Sequence, residues 1–225
     1  MRDLNRKAWL RLVCLAIVMA LLLFVPAGTT QYWQAWIYLA VFFGASGLIT
    51  LYLIRKDPAL LERRLHGGPT AEKKKTQKII MLFVSFGFTA LLVVPGFDYR
   101  FGWSRVPLYI VIAGDALTAL GLYITFLAYK ANTFAFATIQ VTPNQKVIST
   151  GPYAIVRHPM YAGGTLYLWG MPLALGSYWG LLPLIVMIPF LIWRLFDEER
   201  FLAENLPRYT EYCQKVRYRL MPGFF

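Results

Sequence analysis

Charge is scarce in this sequence. Only 15% of its 225 residues are charged, against about a quarter in an ordinary soluble domain. Acids are rarer than bases, 11 against 23, so the formal net charge is +12. Cysteine and histidine are nearly absent. Cys14 and Cys213 lie far apart and predict no disulfide or metal pattern. With only His66 and His158 beside them, a zinc site is not expected. Internal repeats and low-complexity tracts are also missing. These absences point away from a soluble, disulfide-built or metal-built protein.

What the sequence does have is long uncharged runs, and its mean hydropathy is +0.50. A bilayer span needs about 20 apolar residues. Leu12–Gly28, Trp33–Ile54, Ile79–Phe97 and Val106–Tyr129 meet or approach that length, the last with one acid, Asp115. The first run shows no small-residue cleavage site and further spans follow, so it is not read as a cleaved signal. A fifth block, Met160–Trp193, carries no charge; Gly176-Ser177 near its middle reads as the turn of a tight helical hairpin. The expected fold is all-α: one polytopic membrane bundle over 1–225 with about five to six transmembrane helices. It divides into a four-span region (1–130) and a C-terminal region (131–225) with a cytoplasmic pocket.

Six crossings put Met1–Arg11, Arg55–Lys78, Lys130–Pro159 and Arg194–Phe225 on one side. Those segments hold 21 of the 23 Lys and Arg residues. Loop bias of this kind places both termini in the cytoplasm, as in a prokaryotic inner membrane. Anionic inner-leaflet lipids then account for the positive charge, and nucleic acid is not needed as a partner. The basic loop Arg55–Lys78, with Gly67-Gly68-Pro69 and Lys73-Lys74-Lys75, reads as a solvated, lipid-facing segment. Trp33, Trp36, Tyr38, Trp103 and Tyr109 are placed as an outer aromatic belt. Asp115 lies roughly 14 Å into its helix at about 1.5 Å per residue. It is a candidate functional acid or a structural one beside Pro107 and Gly114. Between Ala131 and Pro159 the polarity is mixed, and Val147-Ile148 suggests an extended piece.

Two polar clusters bracket the hairpin: Tyr153, Arg157, His158 and Tyr161, then Arg194, Asp197, Glu198, Glu199 and Arg200. A hairpin returns the chain to the side it left, so the two clusters should meet. A helix opened by Pro159 presents free N–H groups to an anion, with Arg157 as a bidentate donor. Glu198 and Glu199 suit an amine, ribose hydroxyls or a sulfonium. Tyr153, Tyr161, Tyr209 and Tyr212 suit a sulfonium methyl. S-adenosylmethionine carries all of these groups. The blander readings are His158 as a helix cap, the tyrosines as interface anchors, and Arg194–Glu198 as an i,i+4 pair of about 0.3 kcal/mol.

The same residues carry a resemblance. Gly151-Pro152-Tyr153, Arg157-His158-Pro159-Met160-Tyr161-Ala162-Gly163, Glu198-Glu199, Tyr209-x-x-Tyr212 and Val216-Arg217-Tyr218-Arg219-Leu220-Met221-Pro222-Gly223 resemble the isoprenylcysteine carboxyl methyltransferase and phospholipid methyltransferase superfamily, over roughly 130–225. The resemblance implies a small helical membrane methyltransferase without a Rossmann domain, a cytoplasmic cofactor pocket and a lipophilic acceptor entering from the bilayer. It implies cofactor contacts at Tyr153, Arg157, His158, Pro159, Tyr161, Gly163, Glu198 and Glu199. Gln145, Gly151 and Arg194 complete the candidate set, and Arg157, His158, Glu199 and Asp115 are the candidate catalytic residues. Gln145 stands where eukaryotic relatives have His ahead of the Gly-x-Tyr turn, which leaves the acceptor open among a prenylcysteine-like carboxylate, a phospholipid amine and a small apolar thiol or acid.

Two other readings compete. Sterol reductases, which use NADPH, share an Arg-His-x-x-Tyr-x-Gly block and a tail like Tyr212-Cys213…Val216-Arg217-Tyr218-Arg219…Pro222. An acid usually follows their motif glycine, where this chain has Gly164, and they are longer. A transporter or lipid-binding scaffold would line several spans with polar groups, whereas only Asp115 is charged within one.

Overall fold

A computed structural model describes residues 2–67, 71–72, 74–143, 145–223 and 225. They form α1 (Arg2–Ala27), α2 (Trp33–Lys56), α3 (Pro58–Leu65), α4 (Lys75–Phe101), α5 (Leu108–Ala131), α6 (Pro159–Ala174), α7 (Leu181–Asn205) and α8 (Tyr209–Lys215), with a 3-10 turn at Gly151–Ala154 before α6. No strand occurs among the described residues.

Helices α1, α2, α4 and α5 are long and apolar enough to cross a membrane. Their outward faces leave side chains such as Val25, Leu48 and Phe86 bare, each about two-thirds exposed or more. A water-soluble surface rarely tolerates a continuous apolar face of this kind, whereas lipid does. The protein is a polytopic helical membrane protein. Its central core packs Met19, Leu23, Tyr38, Leu91, Leu92, Met171, Leu184 and Met187.

The hairpin turn falls where the sequence put it, with Gly176 at φ +68° in the left-handed region open to glycine. The two arms are not a tight pair, however. α6 packs chiefly on α5, and α7 on α4. The reason is a seam of small residues that favours α5 over α7. A Cβ on Gly163 would meet the Gly121 carbonyl oxygen at 2.5 Å, and one on Gly170 would meet the Gly114 carbonyl oxygen at 2.6 Å. Side chains there would push the backbones apart, and close approach of this kind is how helices associate in lipid.

Asp98 closes the turn. It accepts from the Ser104 amide and hydroxyl (both 2.6 Å) and from the Ser177 hydroxyl (2.5 Å), and it is almost fully buried. Of the expected aromatic belt, Trp33, Trp36, Trp103 and Tyr109 are exposed, but Tyr38 is fully buried in the core. It sits one turn beyond Gln34 on the inner face of α2.

The opposite, basic end departs from the expected solvated loop. Asp57 caps α3, its carboxylate accepting from the Leu60 amide at 2.9 Å. Leu60 and Leu61 are buried. Arg11 donates to the Leu65 carbonyl, and Arg63 to the Thr133 carbonyl at 2.5 Å. These bonds tie α3 to α1 and to the chain just after α5. Gly68, Pro69 and Lys73 lie outside the described residues.

Candidate active site

The two polar clusters meet at this basic end. Glu199, on the last third of α7, lies 3.2 Å from His158 Nε2 and 3.2 Å from Arg157 Nε. Its other oxygen accepts from Arg219 Nε at 2.9 Å. Backbone bonds hold the corner together: the Arg157 and His158 amides donate to the Tyr218 and Arg219 carbonyls, each at 2.9 Å. The C-terminal tail is thereby fastened along the approach to α6. Burial pushes the Glu199 carboxyl up. Hydrogen bonds from His158 and Arg219, with the charge of Arg157, outweigh that and hold it below the ordinary carboxylate value. The His158 side chain is not a helix cap; it is turned to Glu199.

Beside this corner is a cleft of about 100 Å³, lined by Tyr153, Arg157, His158, Pro159, Met160, Tyr161, Glu198, Tyr209 and Tyr212, and roofed by residues of 132–140 and 145–148, including Gln145. The described residues of the roof have no regular structure, and Val147 and Ile148 form no ladder among them. Burial raises the Tyr153 phenol to about 12 and raises Tyr209 and Tyr212 further. The Tyr212 hydroxyl donates to the Tyr153 carbonyl at 2.7 Å, whereas the buried Tyr209 hydroxyl has no partner among the described residues. Arg157 Nε is near enough to Glu199 for charge attraction but is not aligned for a hydrogen bond.

Behind the cleft lies a second cavity of about 400 Å³. Phe42, Val84, Phe88, Leu122, Leu168, Met187 and Leu191 line its depth, and Arg64, Arg194, Tyr161 and Glu198 its basic end. The two cavities share Phe136, Thr138, Ile139, Met160, Tyr161 and Glu198 as walls. Across that partition Tyr161 donates to Glu198 at 2.6 Å.

Several candidates sit elsewhere. Glu199 does not line the cleft and acts on it through the cations it holds. Gly163 faces α5 in the glycine seam. Gly151 turns the chain at φ +58°. Arg194 does not pair with Glu198 as an i,i+4 partner. It binds Glu72 at 2.7 Å and Gln77 at 2.6 Å, because those side chains reach into the bundle from the segment before α4 and from its first turn. Asp115 is 16 residues from the end of α5, about 24 Å at 1.5 Å per residue, and one of its oxygens is buried without a partner among the described residues.

Comparison with known proteins bears on what this architecture is. A phospholipid methyltransferase family model matches residues 109–208. Two proteins described as probable protein-S-isoprenylcysteine O-methyltransferases, from Oryza sativa subsp. indica and subsp. japonica, are each 28% identical over 196 residues, covering 81% of this chain and 93% of theirs. The resemblance to the isoprenylcysteine carboxyl methyltransferase and phospholipid methyltransferase superfamily holds. It also reaches further than residues 130–225, since the methyltransferase match opens within α5 and the plant methyltransferases align with most of the chain. Both comparisons point to a membrane methyltransferase.

Sequence reading passed over Arg219, Glu72 and Gln77. Arg219 stands inside the quoted tail motif, and its guanidinium lies over Phe196 and Phe225. Glu72 carried a faint signal, as the lone acid in a lysine-rich stretch.

Proposed function

We propose that this protein is an S-adenosylmethionine-dependent methyltransferase that modifies a lipophilic acceptor at the cytoplasmic surface of a membrane, with the basic end and both termini inside. The observation that carries this reading is the shared partition. A polar cleft and an apolar cavity abut at Met160, Tyr161 and Glu198, which suits a reaction between a polar donor and an oily acceptor. In a prokaryotic cell this would be the inner membrane.

The cleft's chemistry fits the cofactor. Tyr153, Tyr161, Tyr209 and Tyr212 offer π faces to a sulfonium, Glu198 offers negative charge to an amine or a ribose, and the buried Tyr209 hydroxyl is unpaired among the described residues. Arg157, close to Glu199, presents positive charge to a carboxylate, with the His158 ring beside it. S-adenosylmethionine supplies an electrophilic methyl group whose bonding electron pair returns to sulfur on transfer. The residues here orient the reactants and exclude water. A carboxylate or thiolate acceptor requires no base. An amine must lose a proton, and Glu198 is the partition carboxylate placed to take it. Asp115 is too distant for that task.

The cleft is smaller than the roughly 300–1,000 Å³ usual for ligand pockets, so cofactor entry requires the roof residues of 132–140 and 145–148 to lift and close again. Hydrogen exchange of the detergent-solubilised protein tests this. S-adenosylhomocysteine should slow exchange in 132–148 and in 209–219 and raise the melting temperature, and NADPH should do neither. Stabilisation by NADPH alone would instead favour a reductase.

A further inference from the structure

We propose that Arg64 holds an oxyanion on the acceptor's head group and thereby determines which lipophilic molecules are methylated; this rests on the methyltransferase reading above. Arg64 is contributed by α3, outside both motif clusters, yet it lines the basic end of the apolar cavity. The other arginines near the site are engaged. Arg157 and Arg219 face Glu199, Arg194 is paired with Glu72, and Arg63 donates to Thr133 while lying over Phe134 and Phe136. Among the described residues Arg64 has no carboxylate partner. Its guanidinium donates once, to the Phe136 carbonyl at 2.9 Å, and sits 5.1 Å from the centre of the Tyr129 ring.

A guanidinium has five N–H donors in a planar fork. Here the fork is half-buried against aromatic walls, with donors to spare. A cation in such a place gains most from an anion that arrives with the ligand. Position defines the rest of that ligand. Phe136 is a wall of both cavities, so an oxyanion at Arg64 lies close to the partition. The cavity beyond, about 400 Å³ and lined by Phe42, Phe88 and Leu168, takes an apolar tail. A carboxylate and a phosphodiester both supply the oxyanion. With a carboxylate, Arg64 would orient the nucleophile itself. With a phosphodiester it would hold the head while a nearby amine reacts.

Methyl transfer to three probes tests the assignment: N-acetyl-S-farnesylcysteine (carboxylate), phosphatidylethanolamine (phosphodiester) and dodecanethiol (no oxyanion). Full-length wild type, R64Q and R64K would be compared. One of the two oxyanion probes should be methylated, and which one identifies the source. R64Q should raise its KM about tenfold or more, as expected for loss of a charged hydrogen bond. The affinity for S-adenosylhomocysteine should be unchanged, and R64K should recover much of the loss. An unchanged KM in R64Q, or dodecanethiol as the preferred acceptor, overturns the proposal. If wild type binds no S-adenosylhomocysteine, the methyltransferase reading itself has failed. Should R64Q not fold, wild type decides: each oxyanion probe is set against its uncharged counterpart, the methyl ester or diacylglycerol, as competitor. Equal inhibition by the two overturns the proposal.

Discussion

Replacing Glu199 should dismantle the corner on which the cleft depends. Its carboxylate faces three nitrogen donors on side chains that are mostly buried: Arg157 (9% exposed), His158 (5%) and Arg219 (31%), with Glu199 itself at 13%. Removing one member of a buried ionic group costs about 3–5 kcal/mol, chiefly because the partners are left uncompensated. Water at the partly exposed Arg219 screens its share, so about 3 kcal/mol is expected for Glu199→Ala. At roughly 2–4 °C per kcal/mol for a chain of this size, the melting temperature should fall by roughly 6–12 °C. Glu199→Gln preserves shape but not polarity. Either orientation of the amide aims its NH2 at a nitrogen that itself donates, Arg219 on one side or Arg157 on the other, so affinity for S-adenosylhomocysteine should fall as well. The pH dependence carries a sign. The folded carboxyl titrates below its ordinary value of 4.5, so its stabilisation is complete above about pH 4.5 and is lost as pH falls through the lower folded value. Thermal unfolding of wild type and Glu199→Gln between pH 3 and pH 7 measures this. The two curves should converge in acid. A Glu199→Gln protein that melts with wild type at pH 7 and binds S-adenosylhomocysteine normally would refute the reasoning.

Elsewhere in the bundle, Gly121→Ala and Gly170→Ala should each cost about 1–3 kcal/mol, because the added methyl meets backbone of the facing helix. Gly44→Ala, where nothing lies within 4 Å, should be neutral or slightly stabilising; melting curves of the three variants compare them. Asp98→Asn should lower the melting temperature without altering S-adenosylhomocysteine affinity, since a charge-assisted hydrogen bond is worth about 1.5–3 kcal/mol and this knot lies at the end of the bundle away from the cleft.

Long apolar runs and the Gly176-Ser177 turn are legible in the sequence because span length and left-handed backbone have strong local signatures. The meeting of Arg157 and His158 with Glu199 is legible from connectivity, since a hairpin must bring its ends back together. Partner choice is not. The spacing of Arg194 and Glu198 suggests a helical pair, but Glu72, distant in sequence, takes the arginine and Tyr161 takes the glutamate. Periodicity equally fails to separate Gly163 as a cofactor contact from Gly163 as a helix-packing surface, because both demand the absence of a side chain. Tyr38 reads as an interface anchor by composition, and only tertiary packing buries it. α3 is short, charged and anchored by bonds to other elements, so its order follows from the assembled bundle.

The clamp of Arg194 on Glu72 and Gln77 makes the two halves of the chain interdependent. A graft of the C-terminal third onto another protein's anchor would strand a buried guanidinium with no counter-ion. Chimeras among relatives must therefore transplant residues 72 and 77 with the catalytic portion, and insertions between 65 and 78 should disturb methyl transfer although the motif residues stay intact.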